Sequence, residues 1–233
     1  MHKILVMLEA LMAALPAVAA NAADSAPYPN RPIRLLNPFA PGGTVDINAR
    51  VLAAEVAKQI GGNIVIDNRD GANGIVGTQI AVNAPPDGYT FLHTSTSIAI
   101  NPSVYRKMPY DALKDLVPIT FVALSAGYVV VGHPGFAARS MKEVIELAKN
   151  TAKPVAYSTA GIGNSTHLVT EMFNGAAGIT MTHVPYKGVA PALNAVLAGE
   201  VQLMFIPPTS AVQHIQSGRV RALAYTGKAR WSV

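Results

Sequence analysis

The sequence predicts an α/β protein of two lobes, each a doubly wound sheet with helices on both faces. Three observations carry this. Short apolar or β-branched runs alternate with segments of helical spacing along most of the chain. Glycine-rich turns separate strands from the helices that follow them. Two extended runs, Ile119–Leu124 and Val220–Thr226, stand where the chain would cross between lobes and return. Such alternation implies parallel strands joined by right-handed crossovers.

The elements follow in order. Arg34–Asn37 is a short apolar strand after Pro32, and Pro38–Thr44 is a turn-rich loop. Ile47, Val51, Leu52, Val56 and Ile60 recur at helical spacing within Asp46–Ile60, and Gly61-Gly62 stops that helix. Ile64–Ile66 is a β-branched strand, Gly71–Gly74 a second loop and Ile75–Asn83 a second helix. Pro85-Pro86-Asp87-Gly88 turns the chain into a third strand, Tyr89–His93.

The second unit begins with strands at Ile119–Leu124 and Tyr128–Val131. Ser140 with Glu143 forms a capping box for a helix ending near Asn150. Strand Val155–Tyr157, loop Gly161–Thr166 and helix His167–Phe173 come next. Strand Thr182–Val184, loop Tyr186–Gly188 and helix Ala190–Leu197 follow, with Gly199 as the stop. Gln202–Ile206, Ala211–Ser217 and Val220–Thr226 complete the strand–helix–strand pattern.

Composition narrows the function classes. Of 233 residues, 50% are hydrophobic and 13% charged, which excludes a disordered polyelectrolyte. The net charge of +5 comes from scattered residues rather than a run, so nucleic acid is not an expected partner. The chain has no cysteine, which excludes disulfides, thiolate metal sites and a cysteine nucleophile. The N-terminus carries Lys3, an apolar run at Ile4–Val18 interrupted by Glu9, and Ala20-Asn21-Ala22. That order predicts a cleaved signal peptide at residues 1–22 and export to the periplasm.

Three loops are suited to an anion. Pro41-Gly42-Gly43-Thr44-Val45-Asp46 stands between a strand and a helix. The first N–H groups of a helix lack internal partners and carry partial positive charge, so a carboxylate or phosphate docks there. Gly71–Gly74 and Ser158–His167 repeat the arrangement. All three lie at the carboxyl ends of strands, where open α/β sheets bind ligands. Two lobes presenting such loops to each other form a clamp. Asp46 either caps its helix or orients a water or a ligand amine. Lys187 is either a counter-charge or a solvated side chain.

Other chemistry finds no support. The dinucleotide fingerprint lacks its third glycine after Gly161 and Gly163, and there is no nucleophile elbow. The six histidines show no metal-ligand spacing, so no metal or cofactor is expected. Ser165 and His167 sit two apart at one helix start and point apart, which argues against a triad with Asp46.

The sequence resembles the substrate-binding receptors of tripartite tricarboxylate transporters, the Bug family. The matching stretches are Tyr28-Pro29-x-Arg31-Pro32-Ile33, Pro38 through Asp46, and Asn68-Arg69-x-Gly71-Ala72-x-Gly74. Pro86–Thr90, Ser158–Gly161 with Gly163, His167-Leu168, and Val184–Gly188 continue the match. Asn73 stands where the family more often has a small residue. The resemblance implies a monomeric periplasmic binding protein of the type II, two-lobed kind. It implies capture of a small carboxylate and delivery to membrane permease subunits. It assigns ligand contacts to Gly42, Gly43, Thr44, Asp46, Ala72 and Asn73. The opposite lobe contributes Ser158, Thr159, Gly161, Ser165 and His167. Thr94, Ser95, Tyr186 and Lys187 complete the set.

The resulting boundaries are a first lobe at 23–124 with 224–233, a second lobe at 125–223, and a cleft between them. The family pattern also implies a longer chain, with Gly227–Arg230 opening its next section and Trp231-Ser232-Val233 departing from it. A first lobe incomplete at its C-terminal side is therefore expected. Two other readings remain open here: a sensory module of the same fold, and a small hydrolase using a serine and His167.

Overall fold

The computed structural model describes residues 27–229 and 231, apart from 151 and 153. The expected signal peptide lies outside them.

The first lobe has a parallel sheet of β1 (Ile33–Asn37), β2 (Ile64–Asn68) and β3 (Thr90–Leu92), in the order β2-β1-β3. Central β1 is apolar along most of its length because both its faces are covered. Helix α1 (Thr44–Ile60) connects β1 to β2. A one-turn 3₁₀ segment (Ala72–Gly74) and α2 (Ile75–Val82) connect β2 to β3. Helix α1 ends at Gly61, whose φ of 62° lets its N–H return to the Ala57 carbonyl. The face of α1 turned inward carries Asp46, Ala49 and Ala53, while Val51 is 63% exposed. Two alanines against Leu35, Ile64, Ile66 and Phe91 allow the helix to lie close to the sheet, so the apolar spacing alone misplaces its inner face.

Helix α3 (Ser97–Val104) follows β3 and is not among the elements read from the sequence. It contains Pro102. An Asn-Pro step reads as a boundary, because proline removes a donor and disfavours helix in the residue before it.

The second lobe has five strands: β4 (Val129–Gly132), β5 (Ala156–Thr159), β6 (Thr182–Pro185), β7 (Leu203–Ile206) and β8 (Arg221–Tyr225). Their order is β6-β5-β7-β4-β8. β5 runs parallel to β6 and β7, as expected, whereas β4 is antiparallel to β7 and β8. The second sheet is therefore mixed, with β4 antiparallel between β7 and β8.

The alternation of strand side chains builds two cores. Val129, Val131, Met204 and Ile206 face α6 (Val189–Leu197) and α7 (Pro208–Gln216). Val130, Leu203, Phe205 and Tyr157 face α4 (Met141–Ala148) and α5 (Ser165–Ala177). Each of these buried valines and leucines contributes roughly 1.5–3 kcal/mol relative to exposure. The capping box is present: Ser140 Oγ accepts from the Glu143 N–H at 3.3 Å, and the Glu143 carboxylate accepts from the Arg139 N–H at 2.8 Å.

Two expectations are corrected. Ile119–Leu124 forms no strand, and Ile119, Phe121 and Leu124 are 73%, 95% and 93% exposed. An apolar run has strand propensity, but a strand also needs a neighbour for its N–H and C=O groups. Among the described residues none pairs with it. Second, β8 lies wholly in the second sheet, with Ala224 opposite Val130 and Tyr225 opposite Val129. Residues 224 and 225 therefore do not return to the first lobe. Trp231 packs on Tyr225, also at the second lobe.

Candidate functional site

The loops at the carboxyl ends of the strands meet along one seam between the lobes. On the first lobe, Asp46 organises the β1–α1 loop. It is 2% exposed and accepts from the Gly42 N–H at 2.9 Å, Asn68 Nδ2 at 2.9 Å and Arg50 Nε at 2.8 Å. Burial pushes its pKa up, but Arg50, the Gly42 N–H and Asn68 outweigh burial and hold it below the ordinary carboxylate value. Its oxygens are engaged within the lobe, so Asp46 positions the Gly42-Gly43 turn and does not face the seam. Gly42 has φ +78°, a conformation glycine adopts without strain. Gly43 caps α1 without a side-chain hydrogen bond.

The β2–α2 loop runs through Gly71, Ala72, Asn73 and Gly74, all at positive φ. Asparagine tolerates the left-handed region better than most residues, which suits Asn73 at φ +52°. Asn73 is 7% exposed, and both ends of its side-chain amide are hydrogen-bonded. Asn73 Nδ2 donates to Asn101 Oδ1 at 2.8 Å, and Asn73 Oδ1 accepts from Ser97 Oγ at 3.0 Å. Ser95 joins this set by donating to Ser97 Oγ at 3.0 Å. Ala72 is exposed, and Thr94 is half-buried after β3.

On the second lobe, Ser158 and Thr159 are fully buried. Ser158 Oγ donates to the Ala192 carbonyl at 2.8 Å, and Thr159 Oγ1 lies 2.6 Å from His183 Nε2. These hydroxyls tie β5 to α6 and β6, so they hold the loop rather than line the cleft. Ser165 is half-buried beside Asn164. His167 Nδ1 accepts from the Gly163 N–H at 3.2 Å, and its ring stacks on His183 at 4.1 Å. Burial first, and His167 second, push the His183 pKa down to about 4. Tyr157 stacks behind His183 and donates to Glu171, and burial followed by that carboxylate raises its pKa. With His167 and Asp46 both engaged elsewhere, no Ser165–His167–Asp46 triad forms.

Among the described residues five hydrogen bonds join the lobes. Thr44 Oγ1 and Ser210 Oγ are 2.7 Å apart. The Ala40 N–H donates to the Lys187 carbonyl at 3.4 Å, while the Lys187 side chain is exposed. Tyr105 donates to the Ile162 carbonyl at 3.2 Å. Asn164 Nδ2 donates to Asn73 Oδ1 and to Ser97 Oγ, both at 3.1 Å. Gly161, at φ +139°, lies beside Asn73, where a side chain would meet it. Tyr186 packs into the second-lobe core and reaches Glu200 at 3.5 Å.

Of the residues the sequence singles out, Gly42, Gly43, Thr44, Asn73, Gly161 and the Lys187 backbone reach this seam, while Ser95 and Ser165 bond only within their own lobes. Asn164, Ser97, Asn101 and Ser210 are additions. Asn164 accepts from the Thr166 N–H at 3.1 Å as the cap of α5, and an asparagine before Ser-Thr is a recognisable cap signal. Ser97 and Asn101 sit on α3, whose proline hides it. A cavity of about 430 Å³ opens at one end of the seam, between Gly42 and Ile47 on one side and α6 and α7 on the other. Among the described residues no cluster of three His, Asp or Glu side chains could hold a metal. Among them also, no helix is long and apolar enough to cross a membrane.

Two α/β lobes whose strand-end loops meet across a cleft define a binding protein of the two-lobed solute-receptor type. The chain belongs to the tripartite tricarboxylate transporter receptor family, whose description, "Tripartite tricarboxylate transporter family receptor", matches residues 48–233. It is 35% identical over 226 residues to protein BugT of Bordetella pertussis, covering 96% of this chain and 68% of BugT. The structure of R. palustris Rpa4515 with adipate superposes with a TM-score of 0.83 at 33% identity, covering 88% of this chain and 68% of that one. MatC of Rhodopseudomonas palustris with bound malate gives 0.78 at 26% identity, covering 87% and 69%. The family is one of substrate-binding receptors, not enzymes. This chain spans 59%, 68% and 64% of the length of three curated relatives it matches.

Proposed function

We propose that this chain is a periplasmic solute receptor that takes a small carboxylate between its lobes and hands it to the membrane subunits of a tripartite transporter. The observation that carries the reading is the seam. The start of α1, the Ala72-Asn73 turn and the Gly161–Asn164 loop all lie at strand ends and converge from both lobes. Helix starts and loop N–H groups meet a carboxylate without needing a cation. The bound adipate and malate of two relatives support a carboxylate as the ligand class. The N-terminal leader pattern supports export, with the receptor acting as a monomer.

The test is a thermal melt of the chain from Ala23 onward against a panel of small carboxylates. A ligand at 100 times its Kd adds about 2.7 kcal/mol of stability. For a chain of this size that raises Tm by roughly 5–10 °C. A shift confined to one or two acids supports the receptor reading. A cooperative melt that no acid moves overturns it.

A further inference from the structure

We propose that His167 is a pH-dependent latch on lobe closure: as the neutral ring it holds the Gly161–Asn164 loop against the first lobe, and on gaining a proton it lets that loop go. The inference rests on the receptor reading, of which it names a control.

His167 stands in the first turn of α5, directly after that loop, and its Nδ1 accepts from the Gly163 N–H at 3.2 Å. A side chain at the third helical position that reaches back to a backbone N–H ahead of the helix has the geometry of a capping box, here with an imidazole in place of a carboxylate or amide. The bond needs a lone pair on Nδ1. A neutral imidazole has one free ring nitrogen, whereas the imidazolium carries N–H on both. Protonation would set two N–H groups against each other and place a positive charge at the positive end of α5. Both effects favour a loop that has left its place.

That loop carries much of the closure. Among the described residues it supplies three of the five hydrogen bonds between the lobes: the Ile162 carbonyl accepts from Tyr105, and Asn164 donates to Asn73 and to Ser97. Gly163 itself packs against Val104 of the first lobe.

The titratable groups around His167 come from four elements. His183 of β6 stacks on its ring, Tyr157 of β5 lies beyond His183, and Glu171, one turn along α5, accepts from Tyr157. Tyr105 of α3 faces it across the loop. Burial raises the pKa of both tyrosines, so they stay neutral from pH 8 to pH 5. Burial, and then His167, push the His183 pKa down to about 4 against the weaker pull of Glu171, so His183 is also neutral in that interval. His167 is then the ring of the pair that takes a proton where imidazoles ordinarily titrate. The closed form binds that proton less readily than the open form, so closure is full near pH 8 and fades toward pH 5.

The experiment places spin labels on Lys58→Cys and Glu146→Cys, one in each lobe of a chain without cysteine, and measures the distance between them at pH 8 and pH 5 with no ligand present. The ratio of closed to open molecules is expected to fall roughly tenfold between the two. Asparagine Oδ1 stands about where histidine Nδ1 does and takes no proton in this range, so His167→Asn should stay closed at both pH values. His167→Leu offers no acceptor and should be open at both. His183→Gln should keep the parent's response. A parent distance that does not change with pH overturns the proposal, as does a response that survives in His167→Asn or vanishes in His183→Gln. If the distance stays fixed while an acid raises Tm, this inference falls and the receptor reading stands. If the distance responds and no acid raises Tm, the latch stands as a property of the fold and the receptor reading falls.

Discussion

Asn164 and Asn73 meet across the seam, the Asn164 side-chain amide donating to Asn73 Oδ1 at 3.1 Å. Both side chains are buried, and both are tied to their own lobes, Asn73 to Ser97 and Asn101 and Asn164 to Thr166. The pair therefore couples two anchored loops. Asn73→Gly keeps the left-handed backbone and removes the amide, leaving Asn101 Oδ1 and Asn164 Nδ2 short of a partner. A loss of about 1–3 kcal/mol in urea unfolding is expected. A cycle with Asn164→Ala should give a coupling above about 0.5 kcal/mol. Coupling within error of zero would show that the contact does not form in solution.

Asp46 makes the first lobe sensitive to acid. Its folded pKa lies below the unfolded value of 3.8, so the stability it contributes is complete above that value and fades as pH falls through the folded one. Asp67, paired with Arg34 and Arg69, has the same sign. Denaturation curves from pH 5 down to pH 2 should show Asp46→Asn less stable than the parent at pH 5, with the two converging toward pH 2. Parallel curves would mean that the carboxylate is not holding the loop.

The strands and glycine loops were legible because their signals are local. Gly61, Gly71 and Gly163 each mark a backbone turn that other residues enter only with strain. What stayed hidden was set by partners. Ile119–Leu124 has strand composition but, among the described residues, no neighbour to pair with, and α3 is concealed by Asn101-Pro102. In the site, Gly42, Gly43 and Asn73 were legible as loop residues. The roles of Asp46, Ser158 and Thr159 were not. A hydroxyl or carboxylate in a loop has the same sequence signature whether it faces a ligand or fastens the loop to its own lobe. The choice depends on distant groups such as Asn68, Ala192 and His183.

His183 gives the second lobe a pH dependence nearer neutrality. Its folded pKa of about 4 lies below the ordinary imidazole value of 6.5, because burial first and His167 second disfavour the charged ring. Its contribution is complete above pH 6.5 and is lost as pH falls toward 4, since the unfolded chain binds the proton more readily. Tm should fall between pH 7 and pH 5, and His183→Gln should flatten that fall while lowering Tm at pH 7. An unchanged slope in the variant would place the titrating group elsewhere.

Gly163 tests whether the seam must close for binding. It lies on the second lobe at φ +74°, and a Cβ there would stand 2.9 Å from Val104 Cγ1 on the first lobe. Gly163→Ala therefore has two effects of different origin. The left-handed backbone costs roughly 1–2 kcal/mol within the second lobe whether or not the lobes touch. The clash with Val104 acts only when they touch, so it opposes closure. Affinity for an acid that raises Tm should fall roughly tenfold, because a smaller share of molecules is in the closed, binding form. Val104→Ala removes the clashing methyl groups but leaves the backbone strain. The double variant should regain most of the affinity and little of the stability. Because the chain has no cysteine, Lys58→Cys and Glu146→Cys give two unique labelling points for the distance between lobes. That distance should lengthen in Gly163→Ala and return in the double variant. If Val104→Ala restores neither affinity nor distance, the loss lies in the strained loop itself, and closure at this contact is not required for binding.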